Sequence, residues 1–93
     1  MITAIVHIHT EATKIPEVAQ QVAELPQVLE VYSVTGEVDL IALVRVREHD
    51  QLADVIADTL SKVDGVVRTQ TYIAFRTYSS NDLDAAFTLG IEG

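Results

Sequence analysis

The feature of the sequence that most constrains the fold is an internal repeat, in which residues of the first half recur 38 positions later, as Ile2 does at Leu40. The matched strand positions are Ile2, Ala4, Val6 and Ile8 against Leu40, Ala42, Val44 and Val46, and the matched helix positions include Val18 and Val22 against Ile56 and Leu60. Two similar βαβ halves predict an α+β fold of order β-α-β-β-α-β. This order is typical of the split βαβ, or ferredoxin-like, plan, with a four-stranded antiparallel sheet and two helices on one face.

The boundaries of these elements follow from apolar periodicity and from turn residues. Pro16 suits the first turn of a helix and Pro26 ends it, while Asp50 is a suitable N-cap for a second helix that Gly65 ends. The predicted strands cover residues 2–9, 28–34, 40–46 and 66–75, and the first helix covers residues 15–25. A polar tail follows from residue 78 to residue 93, in which residues 81–87 are expected to form one or two helical turns.

The second face of the predicted sheet is unusually apolar for a surface exposed to water. Ile5, Ile41 and Leu43 lie on the side opposite the repeat-matched core positions. A chain of 93 residues forms one domain of limited core size, and such a domain gains stability from association. We therefore expect a homodimer in which two sheets pack face to face.

Charge and composition exclude several classes of partner. Six Lys and Arg residues stand against fourteen Asp and Glu residues, which gives a net charge of -8. Direct binding to nucleic acid or to an anionic membrane surface is therefore not expected. The chain has no cysteine, no run of about eighteen apolar residues and no signal-peptide pattern at its start, so a cytoplasmic protein is expected.

The loop between the second and third strands has the sequence Thr35-Gly36-Glu37-Val38-Asp39. One interpretation is purely structural, because Gly36 permits a positive φ and Asp39 can hydrogen-bond the turn. The other interpretation is functional, because exposed amides around Gly36 can bind a carboxylate while Glu37 or Asp39 pairs with an ammonium group. Both interpretations remain open at this point.

Two segments resemble the effector-binding domain of the Lrp/AsnC family, the leucine-responsive regulators. The first is residues 28–40, with the loop Thr-Gly-Glu-Val-Asp, and the second is residues 64–73, with the sequence Asp-Gly-Val-Val-Arg-Thr-Gln-Thr-Tyr-Ile. In that family a Thr-Gly-x-x-Asp loop joins the second and third strands, and a Gly-Val-x-x-Thr-x-Thr pattern leads into the fourth. The resemblance covers about residues 1–77 of this chain, which we expect to form the effector-binding domain, with residues 78–93 as a C-terminal tail.

The resemblance implies a ferredoxin-like dimer, often assembled into octamers or decamers, that binds an amino acid at subunit interfaces. We expect no cofactor. The ligand contacts that it implies are Thr35, Gly36, Glu37, Val38 and Asp39, with Thr69 and Thr71 of the last strand in second rank. Threonine is also simply a good strand former, so a structural role for the last two residues is the alternative.

Two departures from the family pattern affect the expected function. Full-length members carry an N-terminal helix-turn-helix domain, whereas here Met1 leads directly into the first strand. We therefore expect a stand-alone regulatory domain that does not bind DNA itself and that modulates transcription regulators or metabolism, with full-length relatives as possible partners. The second departure is Val38, where many relatives have an aromatic residue, and it leaves the identity of the amino acid open.

Two possible metal sites are weak. His7 and His9 share a strand face but have no obvious third ligand, so an interface or surface role is favoured over metal binding. Asp50, Asp54 and Asp58 share a helix face without any EF-hand pattern, and they are expected to be solvated. No metal is therefore expected.

Two other functional classes compete with the regulatory one. Small dimeric enzymes of the monooxygenase type share this fold, but His7, His9, Tyr32 and Tyr72 form no recognisable catalytic arrangement in the sequence. We therefore do not expect an enzyme. The other class is an assembly module that associates with full-length relatives without a ligand of its own.

Overall fold

The computed structural model describes residues 1–80 of the chain. Its strands are β1 (Ile2–Thr10), β2 (Val28–Ser33), β3 (Leu40–Val46) and β4 (Val66–Ile73). Helix α1 (Ile15–Ala23) follows a short 3-10 turn, Ala12–Lys14, and helix α2 (His49–Ala53) continues as a π-helical segment, Asp54–Thr59, and a 3-10 turn, Leu60–Lys62.

The four strands form one antiparallel sheet in the order β2-β3-β1-β4. The two central strands, β1 and β3, are the first strands of the two sequence repeats, and they pair from Ile2 with Val46 to Ile8 with Leu40. This order and the two helical segments confirm the predicted ferredoxin-like α+β fold. The described residues contain no helix that is both long and apolar enough to cross a membrane.

The hydrophobic core lies between the sheet and the helices, and it is built from the repeat-matched positions. Alternate residues of the central strands are buried, namely Ala4, Val6, Ile8, Leu40, Ala42, Val44 and Val46. They pack against buried helix residues Val18, Val22, Leu52, Val55 and Leu60. The strand period of two and the helical spacing of three and four therefore place these positions on one common interior.

The second helical segment differs from its prediction at its start. It begins at His49, so Asp50 lies inside the first turn and Glu48 is the N-cap residue. The reason is the side chain of Gln51, whose Oε1 accepts hydrogen bonds from the amides of Arg47 and Glu48, at 2.8 and 3.1 Å. This side chain satisfies donors that a helix start otherwise leaves without partners.

The predicted ends of several other elements shift by a few residues. Strand β4 ends at Ile73 and not at residue 75, strand β2 ends at Ser33, and strand β1 extends to Thr10. The predicted helical turns at residues 81–87 lie outside the described residues. The end of β4 is gradual, because the amide of Ala74, one residue beyond it, still donates a hydrogen bond to the carbonyl oxygen of Thr3 at 2.9 Å.

A tight contact joins the start of α1 to the turn before β4. Gly65 has a φ of 100°, and its carbonyl oxygen accepts a hydrogen bond from the amide of Glu11 at 2.8 Å. A β-carbon at this position would lie 2.7 Å from Cγ2 of Val18. Beside it, Lys14 Nζ donates a hydrogen bond to Asp64 at 2.6 Å, and this bond raises the pKa of Lys14 above its ordinary value.

The face of the sheet away from the helices carries a mixed surface, here called the open face. Its centre is apolar, because Leu43 pairs with Ile5 and Ile41 pairs with His7 across the two central strands. Ile5, Ile41 and Leu43 are all half-buried. On either side, Tyr32 of β2 and Tyr72 of β4 remain 44% and 47% exposed.

Candidate functional site

The loop between β2 and β3 is fastened at its base by Asp39. The amide of Val34 donates to the carbonyl oxygen of Asp39, and the amide of Asp39 donates to the carbonyl oxygen of Ile8, both at 3.1 Å. The carboxylate of Asp39 accepts a hydrogen bond from the amide of Thr10 at 2.9 Å. Three hydrogen bonds therefore close the loop and tie it to strand β1.

The tip of the loop is built differently from its base. Gly36 has a φ of 116°, which an L side chain rarely adopts, and there is open space where its β-carbon would be. None of the amides of residues 35–38 donates a hydrogen bond to another group in the part of the chain that the structure describes. The loop thus presents backbone donors that no group of residues 1–80 occupies, above a hydrogen-bonded base, an arrangement suited to binding an anion.

A groove of about 910 Å³ runs from this loop along the open face of the sheet. The loop side is formed by Ser33, Val34, Thr35, Glu37 and Val38, and the sheet side by His7, His9, Ile41, Arg68, Gln70 and Tyr72. A volume of this order is within the range of small-molecule sites in proteins.

The side chains of the sheet contact one another along the groove. The rings of His7 and Tyr72 pack edge to face, with centroids 5.0 Å apart. Arg68 Nη2 lies 3.5 Å from Nε2 of His9 on the neighbouring strand. The groove therefore has an acidic side chain, Glu37, on the loop and a basic side chain, Arg68, on the sheet.

The structure brings together only part of the set of residues predicted from the sequence. Thr35, Glu37 and Val38 line the groove, and Gly36 lies at the tip of the same loop. Asp39 lies at the base, where its carboxylate is already bonded to the backbone of Thr10.

Thr69 and Thr71 are placed elsewhere. They pair with the core residues Ile8 and Val6, which puts their half-buried side chains on the helix side of the sheet and away from the groove. Their role as ligand contacts stays a prediction.

The groove also contains residues that the sequence alone did not mark as ligand contacts. These are His7, His9, Ile41, Arg68, Gln70 and Tyr72. A signal for them was present, since alternation along β4 puts Arg68, Gln70 and Tyr72 on the face opposite Thr69 and Thr71. What the sequence lacked was the pairing of Arg68 with His9 and of Gln70 with His7, which sets this face beside the loop.

The arrangement gives little support to catalysis. Tyr32 donates a hydrogen bond to Glu30 at 2.7 Å, and this bond raises the pKa of Tyr32 above its ordinary value. His7 contacts the ring of Tyr72, and His9 contacts Arg68, so neither imidazole is held against a nucleophile. Among residues 1–80, no group of three or more His, Cys, Asp or Glu side chains is arranged to hold a metal ion.

The different roles of the two loop carboxylates can be tested by stability measurements. We expect Asp39→Ala to lower the free energy of unfolding by about 1–3 kcal/mol, because it leaves the amide of Thr10 without its partner. Glu37→Ala is the matched control and should change stability by less than about 0.5 kcal/mol, since Glu37 is exposed and makes no such bond. Urea unfolding at one fixed protein concentration measures both. Equal costs for the two variants would contradict the anchoring role of Asp39.

Comparison with known proteins identifies relatives of this chain. Residues 3–83 match the family model described as the Lrp/AsnC ligand binding domain. The transcriptional regulator FL11 of Pyrococcus horikoshii, of the HTH type, is 31% identical over 75 residues, which are 81% of this chain and 49% of that protein. The chain spans about half the length of the curated relatives it matches.

Solved structures give the same result. TTHA0845 from Thermus thermophilus is 47% identical with a TM-score of 0.81, and the match covers 85% of this chain and 99% of that one. A feast or famine regulatory protein from M. tuberculosis, solved as a complex with L-methionine, is 26% identical with a TM-score of 0.73. That match covers 87% of this chain and 54% of the other.

Proposed function

The chain belongs to the Lrp/AsnC ligand-binding domain family, and on that premise we propose that it binds an amino acid in the groove beside the loop of residues 34–39. The relatives are transcriptional regulators, and one of them is solved as a complex with L-methionine. The proposed function is a regulatory, amino-acid-sensing module of residues 1–77, with residues 78–93 as a tail.

The observation that carries this proposal is the contrast between the base and the tip of the loop. Hydrogen bonds from Val34, Asp39 and Thr10 hold the base, while the amides of residues 35–38 have no partner within the described residues. A carboxylate can accept hydrogen bonds from such amides without displacing a bond within the loop, and the bonded base limits the conformations that the loop can adopt.

Glu37 supplies the second half of the recognition. Its side chain lines the groove on the same loop and makes no ion pair within residues 1–80, where both ion pairs involve Lys14. An α-ammonium group bound beside the loop can pair with this carboxylate by a charge-assisted hydrogen bond. Amide donors and one carboxylate together match the two charges of a zwitterion.

Assembly is the second part of the proposal. Ile5, Ile41 and Leu43 form the apolar centre of the open face, which two copies can bury by packing sheet against sheet. The groove shares Ile41 with this patch, so a ligand in the groove lies at the rim of the proposed interface. A ligand that binds one association state more tightly shifts the oligomer equilibrium towards that state, including higher forms such as octamers or decamers.

We further propose that the module acts without contacting DNA and exerts its effect through protein partners, of which full-length relatives are the leading candidates. The support is the charge of -8, which repels a polyanion. The family match over residues 3–83 is to a ligand-binding domain.

Calorimetric titration with the twenty amino acids tests ligand binding. We expect at least one amino acid to bind the wild-type protein and Glu37→Gln to weaken that binding by about tenfold or more, because the variant loses the charged acceptor for the ammonium group. Glu24→Gln is the matched control, since Glu24 is exposed at the end of α1, far from the groove in the fold.

Two results would contradict the proposal. Absence of binding by the wild-type protein to every amino acid would favour an assembly module without a ligand. Equal loss of affinity in Glu37→Gln and Glu24→Gln would show that the groove is not the site.

A further inference from the structure

The balance of acidic and basic side chains in the groove differs from that of the whole chain. Acidic residues outnumber Lys and Arg by 14 to 6, yet the residues that line the groove include one acidic side chain, Glu37, and one arginine, Arg68. Arg68 lies on β4, where it pairs with His9 of the neighbouring strand β1. The sheet side of the groove therefore carries the positive charge of Arg68.

Arg68 has no anionic partner in the described part of the chain. Its guanidinium lies 3.5 Å from the imidazole of His9, and no carboxylate of residues 1–80 forms an ion pair with it. A guanidinium presents its donors in a planar fork that matches the two oxygens of a carboxylate. In its contact with His9 the guanidinium can only donate, so Nε2 of His9 accepts and helps to position Arg68, whose remaining N–H groups are available to one incoming carboxylate.

Binding of an amino acid by the loop directs its side chain towards this surface. If the α-carboxylate and the α-ammonium are held at the loop, the side chain extends across the groove to Arg68, His9 and Gln70. An aliphatic side chain would cover Arg68 without pairing it, which costs desolvation energy, whereas a side-chain carboxylate gains a charge-assisted pair. This difference in free energy would favour a ligand with a side-chain carboxylate.

We propose that the groove selects amino acids with a carboxylate side chain, and that Arg68, positioned by its contact with His9, binds that second carboxylate. This inference rests on the proposed amino-acid site and names its substrate class. It assigns Arg68 as the residue that determines specificity, separate from the loop that binds the backbone of the ligand.

The test is calorimetric titration of matched ligand pairs, L-glutamate against L-glutamine and L-aspartate against L-asparagine, with L-leucine and L-methionine as apolar ligands. We expect the wild-type protein to bind one of the acidic ligands at least about tenfold more tightly than its amide. Arg68→Gln should remove this preference while changing the affinity for the amide by less than about threefold, and Arg68→Lys should restore part of it.

The control is Arg47→Gln, which removes the same charge at the opposite end of β3, outside the groove. It should keep the acidic preference, and thermal melts should show that every variant is folded. A wild-type protein that binds leucine, methionine or the amides as tightly as the acids would overturn the acidic selectivity and leave the proposed amino-acid site intact. If Arg68→Gln still preferred the acidic ligands, the assigned role of Arg68 would be overturned, and the proposed amino-acid site would again remain intact. Absence of binding by all six ligands overturns the selectivity, and the full panel of twenty then decides the site itself.

Discussion

Replacing Gly65 by alanine is expected to lower the free energy of unfolding by about 3 kcal/mol. The φ of 100° costs an L residue about 1–2 kcal/mol. The added β-carbon would lie 2.7 Å from Cγ2 of Val18, a fully buried side chain that cannot move aside freely, and such overpacking costs about 1–3 kcal/mol more. Urea unfolding followed by circular dichroism, at one protein concentration, measures the loss.

Gly36→Ala is the matched control for this experiment. Its φ of 116° imposes a similar backbone cost, but there is open space around its β-carbon position. We therefore expect a loss of only about 1–2 kcal/mol. Equal losses of stability in the two variants would contradict this expectation. The close approach of α1 to Gly65 would then add nothing to the free-energy cost of a side chain at position 65.

Leu43→Glu is expected to raise the dissociation constant of the proposed dimer by at least about 100-fold, which corresponds to roughly 2.7 kcal/mol. Leu43 lies at the centre of the open face, where it pairs with Ile5 and Glu30 on the neighbouring strands. In a face-to-face dimer the new carboxylate would be buried without a partner and beside the existing acid, Glu30. Light scattering over a concentration series measures the change.

Gln20→Glu adds the same charge on the exposed side of α1, on the other side of the sheet, and should leave this dimer intact. A wild-type protein that stays monomeric at micromolar concentration would contradict the dimer. A dimer that Leu43→Glu leaves unchanged would place the interface on another surface. Both results concern the dimer alone and do not depend on the outcome of the ligand titrations.

The fold was predictable because it follows from periodic patterns of apolar residues and from the internal repeat in the sequence. The repeat set the order of the elements, and the alternation along β1 and β3 identified the buried positions from Ala4 to Val46. The start of α2 was not predictable in the same way, because it depends on the side chain of Gln51 bonding two amides that precede the helix. Local hydrogen bonds of this kind compete closely, and the sequence shows several plausible caps, Asp50 among them.

The candidate site was predictable on the loop and less so on the sheet. Gly36 and the acidic residues identified the loop in the sequence. The carboxylate of Asp39 is distinguished from that of Glu37 by the hydrogen bond that it accepts from the amide of Thr10, and this bond forms only in the folded chain. The sheet side depends on which residues of β1 and β4 are paired. Contacts between residues distant in sequence, such as His9 and Arg68, carry no local pattern.

The two outer strands of the sheet both have interrupted registers. In β2 the pairing with β3 shifts between Val28 and Glu30, and in β4 the pairing with β1 shifts beside Val67, which is 63% exposed. Such bulges twist a strand and break the regular row of donors and acceptors that another chain needs for edge-to-edge addition. Both edges are thereby poorly suited to the open-ended addition of further strands, which leaves the open face as the surface available to the proposed dimer.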